Sequence, residues 1–499
     1  MRTVRGLAAL AGLAVLAPPA SGAPTPHVLA RGTAEPVRGA LVRTNAAGDL
    51  MVTWSDGRRV RASFRLNGGR FGAAHAVPGL RSAKADLTGA MPLMASGAGA
   101  RIAWAVSADA TSLLVATAQR GGPFAAPQAV RAPAGSGLDR WQLSGPVVVG
   151  PDGHAAIVAR SRRALAALLG DADGHWRAPQ TLPASQVAFA RIAVGGGGGA
   201  VLAWSARGPC GPQPPGFPPQ PVATCEFVRA SLRPPGGAFG APVTLDAGQY
   251  HVGPPRPIVD AAGRPGVFWW RSLGQAGAAV LARGRFAVGF GPAVALPGTD
   301  RPTADACPPS SGTGAAPEPR VVAVRPRPDG GAFVLVDRDE GCGPLISEVP
   351  LAPDGTAGAP VRLTAAPLAP KLGMDFLGLG GRTPALVTRT AAGAVAVART
   401  APEAPFAAPI AVALPARARR GPTAVLRDGR VVVAFSRPCR PGSHVSEAVV
   451  VAPGGTASKP VRLSRCGDPS PVQVDRTGRA VFVARRAGDL VAWATAPIG

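Results

Sequence analysis

The chain has 499 residues and a net charge of +25, and all but three of its 53 basic residues (Lys84, Lys371 and Lys459) are arginine. Past the start, no stretch reaches the roughly 20 apolar residues that a bilayer-spanning helix needs, which excludes a helical membrane protein. The arginines are spread along the chain without a dense run, which argues against nucleic acid as a partner; with 66 Gly, 56 Pro and a single Tyr they read first as a compositional bias.

Taken in chain order, Met1-Arg2-Thr3-Val4-Arg5 precedes an apolar run from Gly6 to Ala17, a Pro18-Pro19 break and the small residues Ser21-Gly22-Ala23. Residues 1–23 therefore read as a signal peptide, and residues 24–499 as a secreted, extracellular or cell-envelope domain. No Cys follows the cleavage position, so no lipid anchor is expected.

Beyond the leader one pattern recurs. A short apolar run, a Gly turn and a second apolar run repeat with turn glycines at Gly48, Gly99, Gly153, Gly198, Gly263, Gly330, Gly381, Gly429 and Gly478. The runs after the turns, such as Leu50-Met51-Val52-Thr53-Trp54 and Val431-Val432-Val433-Ala434-Phe435, are about five residues long, which is strand rather than helix length. Turns such as Pro151-Asp152-Gly153 and Arg427-Asp428-Gly429 supply residues that tolerate positive φ.

A second signature closes each unit: an aromatic with Pro three residues on, at Phe124/Pro127, Trp176/Pro179, Phe239/Pro242 and Phe406/Pro409, with weaker forms at Phe71, Phe290, Pro360 and Pro460. Proline removes a ladder donor, so this strand belongs at a sheet edge. The expected unit is a four-stranded antiparallel meander. The last unit, from about Ser464, holds three strands, and Pro26-His27-Val28-Leu29 matches a fourth-strand ending, so the N-terminal strand is expected to complete it. The expected fold is all-β: a single closed β-propeller of eight or nine four-stranded blades, with the Gly381 unit the one whose count is open.

Six cysteines in local pairs, Cys210 with Cys225, Cys307 with Cys342 and Cys439 with Cys466, read as three disulfides of an exported protein. All fall where second-to-third strand loops and inter-unit connections lie. That face, with the proline-rich insertion from Cys210 to Cys225 and the segment from Thr299 to Pro319, is a candidate binding face. Trp54, Trp104, Trp204, Trp269 and Trp270 end second strands, where packing between neighbouring units is the favoured role over stacking on a ligand.

The turns, exemplified by Gly68-Gly69-Arg70-Phe71, resemble those of secreted propellers of the BNR, or sialidase-like, repeat type and more loosely of the FG-GAP type. The Ser-x-Asp-x-Gly-x-Thr-Trp box of the first is absent, and turns such as Asp260-Ala261-Ala262-Gly263 hold too few carboxylates for the calcium loops of the second. A sialidase-like resemblance implies a Tyr nucleophile; Tyr250 alone is a candidate, and no Glu is paired with it by spacing.

Asp337, Asp339 and Glu340 form the densest carboxylate group and are weak candidates for a calcium ion. Asp171-Ala172-Asp173-Gly174 opens like a calcium loop but lacks the closing Glu, and Gly195–Gly199 lacks the helix and Lys of a phosphate loop. No cofactor motif is present. The expectation is a monomeric, non-catalytic module that binds or scaffolds an extracellular glycan, cell-wall polymer, other polyanion or protein, with a divergent sialidase-like glycoside hydrolase as the alternative.

Overall fold

The computed structural model of the protein describes most strands and tight turns between residues 27 and 498. Outside the description lie residues 1–26, 31–40, 82–90, 132–141, 210–223, 300–319, 363–373, 378–384 and 399–409, together with shorter turn segments. Gly48, Gly330 and Gly381 fall among these, as do Cys210, Tyr250, Cys307, Glu340 and Cys342.

The described residues form nine antiparallel sheets, eight of them with their strands in chain order from one edge to the other. Sheet 1 comprises Leu41–Thr44, Leu50–Ser55, Arg59–Arg65 and His75–Arg81. Sheet 2 comprises Met91–Met94, Gly99–Ala105, Ser112–Gln119 and Gln128–Arg131. In sheet 3 a split first strand (Gln142–Leu143 and Val148–Val149) precedes Ala155–Arg160, Ala164–Gly170 and Gln180–Pro183. Sheet 4 comprises Val187–Val194, Ala200–Pro209, Thr224–Arg233 and Val243–Gly248. In sheet 5 the first strand is again split, His251–Val252 and Arg256–Val259, before Pro265–Leu273, Ala276–Arg285 and Gly289–Ala295.

Sheet 6 comprises Arg320–Pro326, Ala332–Asp339, Pro344–Leu351 and Val361–Arg362. Sheet 7, around Gly381, comprises Met374–Leu377, Ala385–Thr390, Gly393–Ala398 and Ile410–Val412. Sheet 8 comprises Arg419–Val425, Val431–Arg440, Ser443–Val451 and Val461–Arg462. Sheet 9 has Gln473–Val474, Ala480–Arg486 and Asp489–Ala494 from the C-terminal end, and its fourth strand is His27–Ala30. His27 pairs with Ala492 and Val28 with Val491, antiparallel, so the strand His27–Ala30 does fill the last sheet. Among the described residues no helix is long and apolar enough to cross a membrane.

Why these residues make these sheets is visible in the burial gradient. Middle strands are apolar throughout and buried on both faces, as in Ala155–Arg160 and Ala164–Gly170, because a neighbouring sheet lies on each side. Fourth strands such as Val461–Arg462 are exposed, the behaviour of an outer edge. The prolines of the closing signature stand immediately before these edge strands, at Pro127, Pro179, Pro242, Pro360 and Pro460, where no ladder donor is lost.

The turns repeat atom for atom. The residue after each closing position donates its N–H to the carbonyl eight residues back: Gly72 to Phe64, Ala125 to Thr117, Arg177 to Leu169, Gly240 to Leu232, Gly358 to Pro350 and Ser458 to Val450. At the first-to-second strand turns an Asp carboxylate accepts from backbone N–H groups: Asp152 from His154, Asp260 from Ala262 and Arg264, Asp329 from Gly331, and Asp428 from Arg430. The Asp260 oxygens are thus spent on the turn and on Arg264, not held ready for calcium.

Among the described residues, buried clusters join most neighbouring sheets. Met51, Phe64 and Val77 of sheet 1 pack on Ala116, Ala118 and Phe124 of the second unit. Trp204 of sheet 4 lies among Val158, Leu165 and Leu182 of sheet 3. Trp269 packs between sheets 4 and 5, and Trp270, pointing the opposite way, between sheets 5 and 6. Sheets 8 and 9 share Val432, Val450, Val474 and Phe482. Leu29, Val481 and Leu490 of sheet 9 pack on Val42, Leu50 and Trp54 of sheet 1, with His27 stacked 6.4 Å from Phe71. Trp54, Trp204, Trp269 and Trp270 are fully buried, so packing is their role; the side chain of Trp104 lies outside the description.

Two seams carry a polar clamp as well. The Gln180 amide accepts from Phe239 N–H (2.5 Å) and donates to Phe239 C=O (2.6 Å), tying the edge of sheet 3 to sheet 4. Gln128 does the same to Trp176, at 2.9 and 2.5 Å, between sheets 2 and 3.

Candidate functional site

The structure brings few of the residues singled out in the sequence together. Cys439, near the end of a second strand, is bonded to Cys466 after the fourth strand of the same sheet, with Cα atoms 6.0 Å apart. Cys225 is also disulfide-bonded, and no described cysteine is free. Cys210, Cys307 and Cys342, the insertion at 210–223 and Tyr250 lie outside the described residues. Asp337 and Asp339 stand two apart in strand Ala332–Asp339; their side chains, and all of Glu340, are likewise outside the description.

The face that carries these disulfides is less uniform than its cysteines suggest. Where the second-to-third connection is bounded by described strands it is short in several units: Arg160 to Ala164, Leu273 to Ala276, and Arg440 to Ser443. In sheet 4 the described strands on either side of this connection end at Pro209 and resume at Thr224.

Asp171, Asp173 and His175 bring their ligating atoms within 4.8 Å of one another on the third-to-fourth strand turn of sheet 3. Asp171 Oδ1 accepts from His175 N–H and Oδ2 lies 3.3 Å from His175 Nδ1, so this carboxylate shapes the turn. Burial works against its ionisation, but the hydrogen bonds from His175 and Gly174 hold its pKa below the ordinary value.

Next to that turn, between sheets 3 and 4, a cleft of about 80 Å³ opens. Sheet 3 supplies His154, from the first turn, and Asp171 and Arg177, from the third. Sheet 4 supplies Gly197 and Gly198 from its first turn and Arg233 from the end of its third strand. The sequence builds this opening from glycine. Gly197 and Gly198 have φ of +68° and +75°, and a Cβ on Gly198 would stand 2.7 Å from His154 Cδ2, so only glycine fits there. The Gly195–Gly199 run is a repeat turn, containing one 3-10 turn, as its place in the pattern implies.

The electrostatics of the cleft are unbalanced. Asp152 is committed: Oδ2 accepts from Gly197 N–H at 2.6 Å, Oδ1 accepts from His154 N–H, and His154 Nδ1 lies 2.9 Å from Oδ2, without the alignment of a hydrogen bond. Burial opposes ionisation of Asp152, yet these contacts with His154 and Gly197 hold its pKa below the usual carboxylate value. Arg233 is only 4% exposed, and among the described residues its guanidinium donates to the Gly198 carbonyl and pairs with no carboxylate. Desolvation first, and the charge of exposed Arg177 second, hold Arg233 below the usual guanidinium range.

A second cationic feature runs along the first strands. They hold Arg43, Arg191, Arg256, Arg320, Arg325, Arg419 and Arg420 against one acid, Asp375. Burial alone lowers the pKa of Arg191, and no described carboxylate pairs with it.

No protein-family model matches the chain, and no curated protein matches it, so nothing links the sheets to BNR or FG-GAP repeats in particular. Solved structures similar in fold include one titled as a eukaryotic initiation factor (11% identity, 87% of this chain and 89% of that chain, TM-score 0.43). They also include the β-propeller domain of the Trilobed protease from Pyrococcus furiosus (7%, 71% and 95%, TM-score 0.33). A third is the PL25 ulvan lyase, a polysaccharide lyase (9%, 75% and 95%, TM-score 0.39).

Proposed function

We propose that the protein is a secreted, closed β-propeller of nine blades that binds an anionic extracellular polymer without transforming it. Closure is supported by the N-terminal strand in sheet 9 and by the shared core of sheets 9 and 1. In such a ring the first strands face the central channel. Their arginines, seven against one acid, are the observation that carries the polymer reading. Cations on a concave, low-dielectric wall concentrate anionic chains by long-range attraction. A disulfide and a chain without a described membrane helix fit an exported protein.

The test is retention of residues 24–499 on immobilised polyuronate and sulfated polysaccharide, against neutral dextran, at about 50 mM and about 0.5 M salt. Retention on the anionic matrices that disappears at the higher salt is expected. Equal behaviour on dextran, or shortening of the polymer during incubation, would overturn the reading.

A further inference from the structure

We propose that the cleft between sheets 3 and 4 is an oxyanion site, taking one sulfate, phosphate or carboxylate group between Arg177 and Arg233. This deepens the binding role proposed above by naming the chemical group recognised; it relies on that reading only for the polymer that bears the group.

The internal repeat provides the control. Each of four described first-to-second strand turns carries an aspartate: Asp152, Asp260, Asp329 and Asp428. Sheet 4 ends its third strand on the buried Arg233, and its turn, Gly195–Gly199, offers no carboxylate. Burying a guanidinium without a counter-charge is costly, and a second cation, Arg177, adds to the cost. The missing charge is on the side where the cleft opens.

Neither nearby acid supplies it. Asp152 is turned to Gly197 N–H and His154, and Asp171 to His175. A ligand oxyanion would meet the two guanidiniums, whose forked N–H donors suit carboxylate, phosphate and sulfate oxygens. With glycine at 197, 198 and 236, no side chain from those positions blocks the approach. About 80 Å³ accommodates a single compact group rather than a whole sugar ring, so the rest of the ligand must lie outside, as a polymer substituent would.

Saturable binding of inorganic sulfate, phosphate and acetate to residues 24–499 is measured by calorimetry against chloride at matched ionic strength. Arg177→Gln, at an exposed position, is expected to weaken sulfate binding at least tenfold without altering the circular dichroism spectrum. Gly197→Asp sets a carboxylate in the cleft lining, at the turn position that Asp152 holds in sheet 3, in a conformation that Asp tolerates. It is expected to abolish sulfate binding while the thermal midpoint holds or rises. No saturable oxyanion binding by the wild type, or unchanged affinity in both variants, overturns the site. A sulfated and a desulfated oligosaccharide separate a polymer substituent from a free ion. Sulfate binding without polymer retention sinks the proposed function alone, and polymer retention without sulfate binding sinks this inference alone.

Discussion

Replacing Gln180 with Ala removes two hydrogen bonds at one stroke, because the amide holds both the N–H and the C=O of Phe239. Phe239 is 5% exposed, and the Gln180–Phe239 bonds are partly buried, so water recovers part of what is lost. A net hydrogen bond contributes about 1 kcal/mol, and a buried group left unpaired costs about 1–3 kcal/mol. For two bonds at a half-wet seam the expected loss is about 2 kcal/mol. Equilibrium urea unfolding, followed by tryptophan fluorescence and by circular dichroism, reads it as a lower midpoint. Any divergence of the two probes would show sheets 3 and 4 parting before the rest.

Gln180→Glu sharpens the test. It keeps the acceptor for Phe239 N–H but sets a carboxylate against Phe239 C=O. The variant is therefore expected to be weakened at neutral pH and to recover relative to wild type as pH falls through the carboxyl's value, where a protonated Glu can donate again. Gln128→Ala, at the Trp176 seam, should cost a similar amount, and the double variant should be additive because the two clamps share no partner. If Gln180→Ala leaves the midpoint unchanged, or Gln180→Glu shows no pH-dependent recovery, the clamp does not hold the seam.

Three further outcomes are expected. Replacing Cys439 and Cys466 with Ala, which opens a closure of 27 residues, should lower stability by about 3.5 kcal/mol on chain-entropy grounds, read as the difference in urea midpoint from the wild type. Removing residues 24–30, or Leu29→Asp, should bare the edge of Asp489–Ala494 and drive association, seen by light scattering at raised protein concentration; a monomer as stable as the wild type would contradict the seam at Leu29. Asp152 has a folded pKa below its ordinary 3.8, so its charge stabilises the fold above that value and the contribution is lost as pH falls through the folded one. Asp152→Asn removes the charge and keeps one of the two acceptor oxygens, so the gap between variant and wild type should be widest near neutrality and narrow in acid, as read from midpoints across the acid range.

Much of this fold is legible in the residues because a strand buried on both faces leaves few options. Val431–Phe435 and Val201–Trp204 are too short for helices and too apolar for loops, and the glycines between them mark the hairpins. The pairing of His27 with Ala492 was legible for a different reason: a three-stranded terminal unit would leave an unpaired edge, and Pro26-His27-Val28-Leu29 resembles the fourth-strand endings of other units. Trp269 and Trp270 show what periodicity also implies, since adjacent residues of a strand point to opposite faces and each fills a different seam.

The cleft was hidden for the opposite reason. Its identity rests on what a turn lacks, and Gly195–Gly199 on its own reads as a featureless repeat turn. Only when the strands set Arg233 above that turn, in a cleft it shares with Arg177, does the glycine run become a missing counter-charge. The Gln clamps escaped notice similarly: Pro127-Gln128 and Pro179-Gln180 look like ordinary strand openings until their amides meet backbone 48 and 59 residues onward. Local pattern dictates strands and turns because each is decided by its own few residues. A charge left without a partner, or an amide spanning two sheets, is decided by segments that folding alone brings together, and in a repeat protein such sites are found where one unit departs from the others.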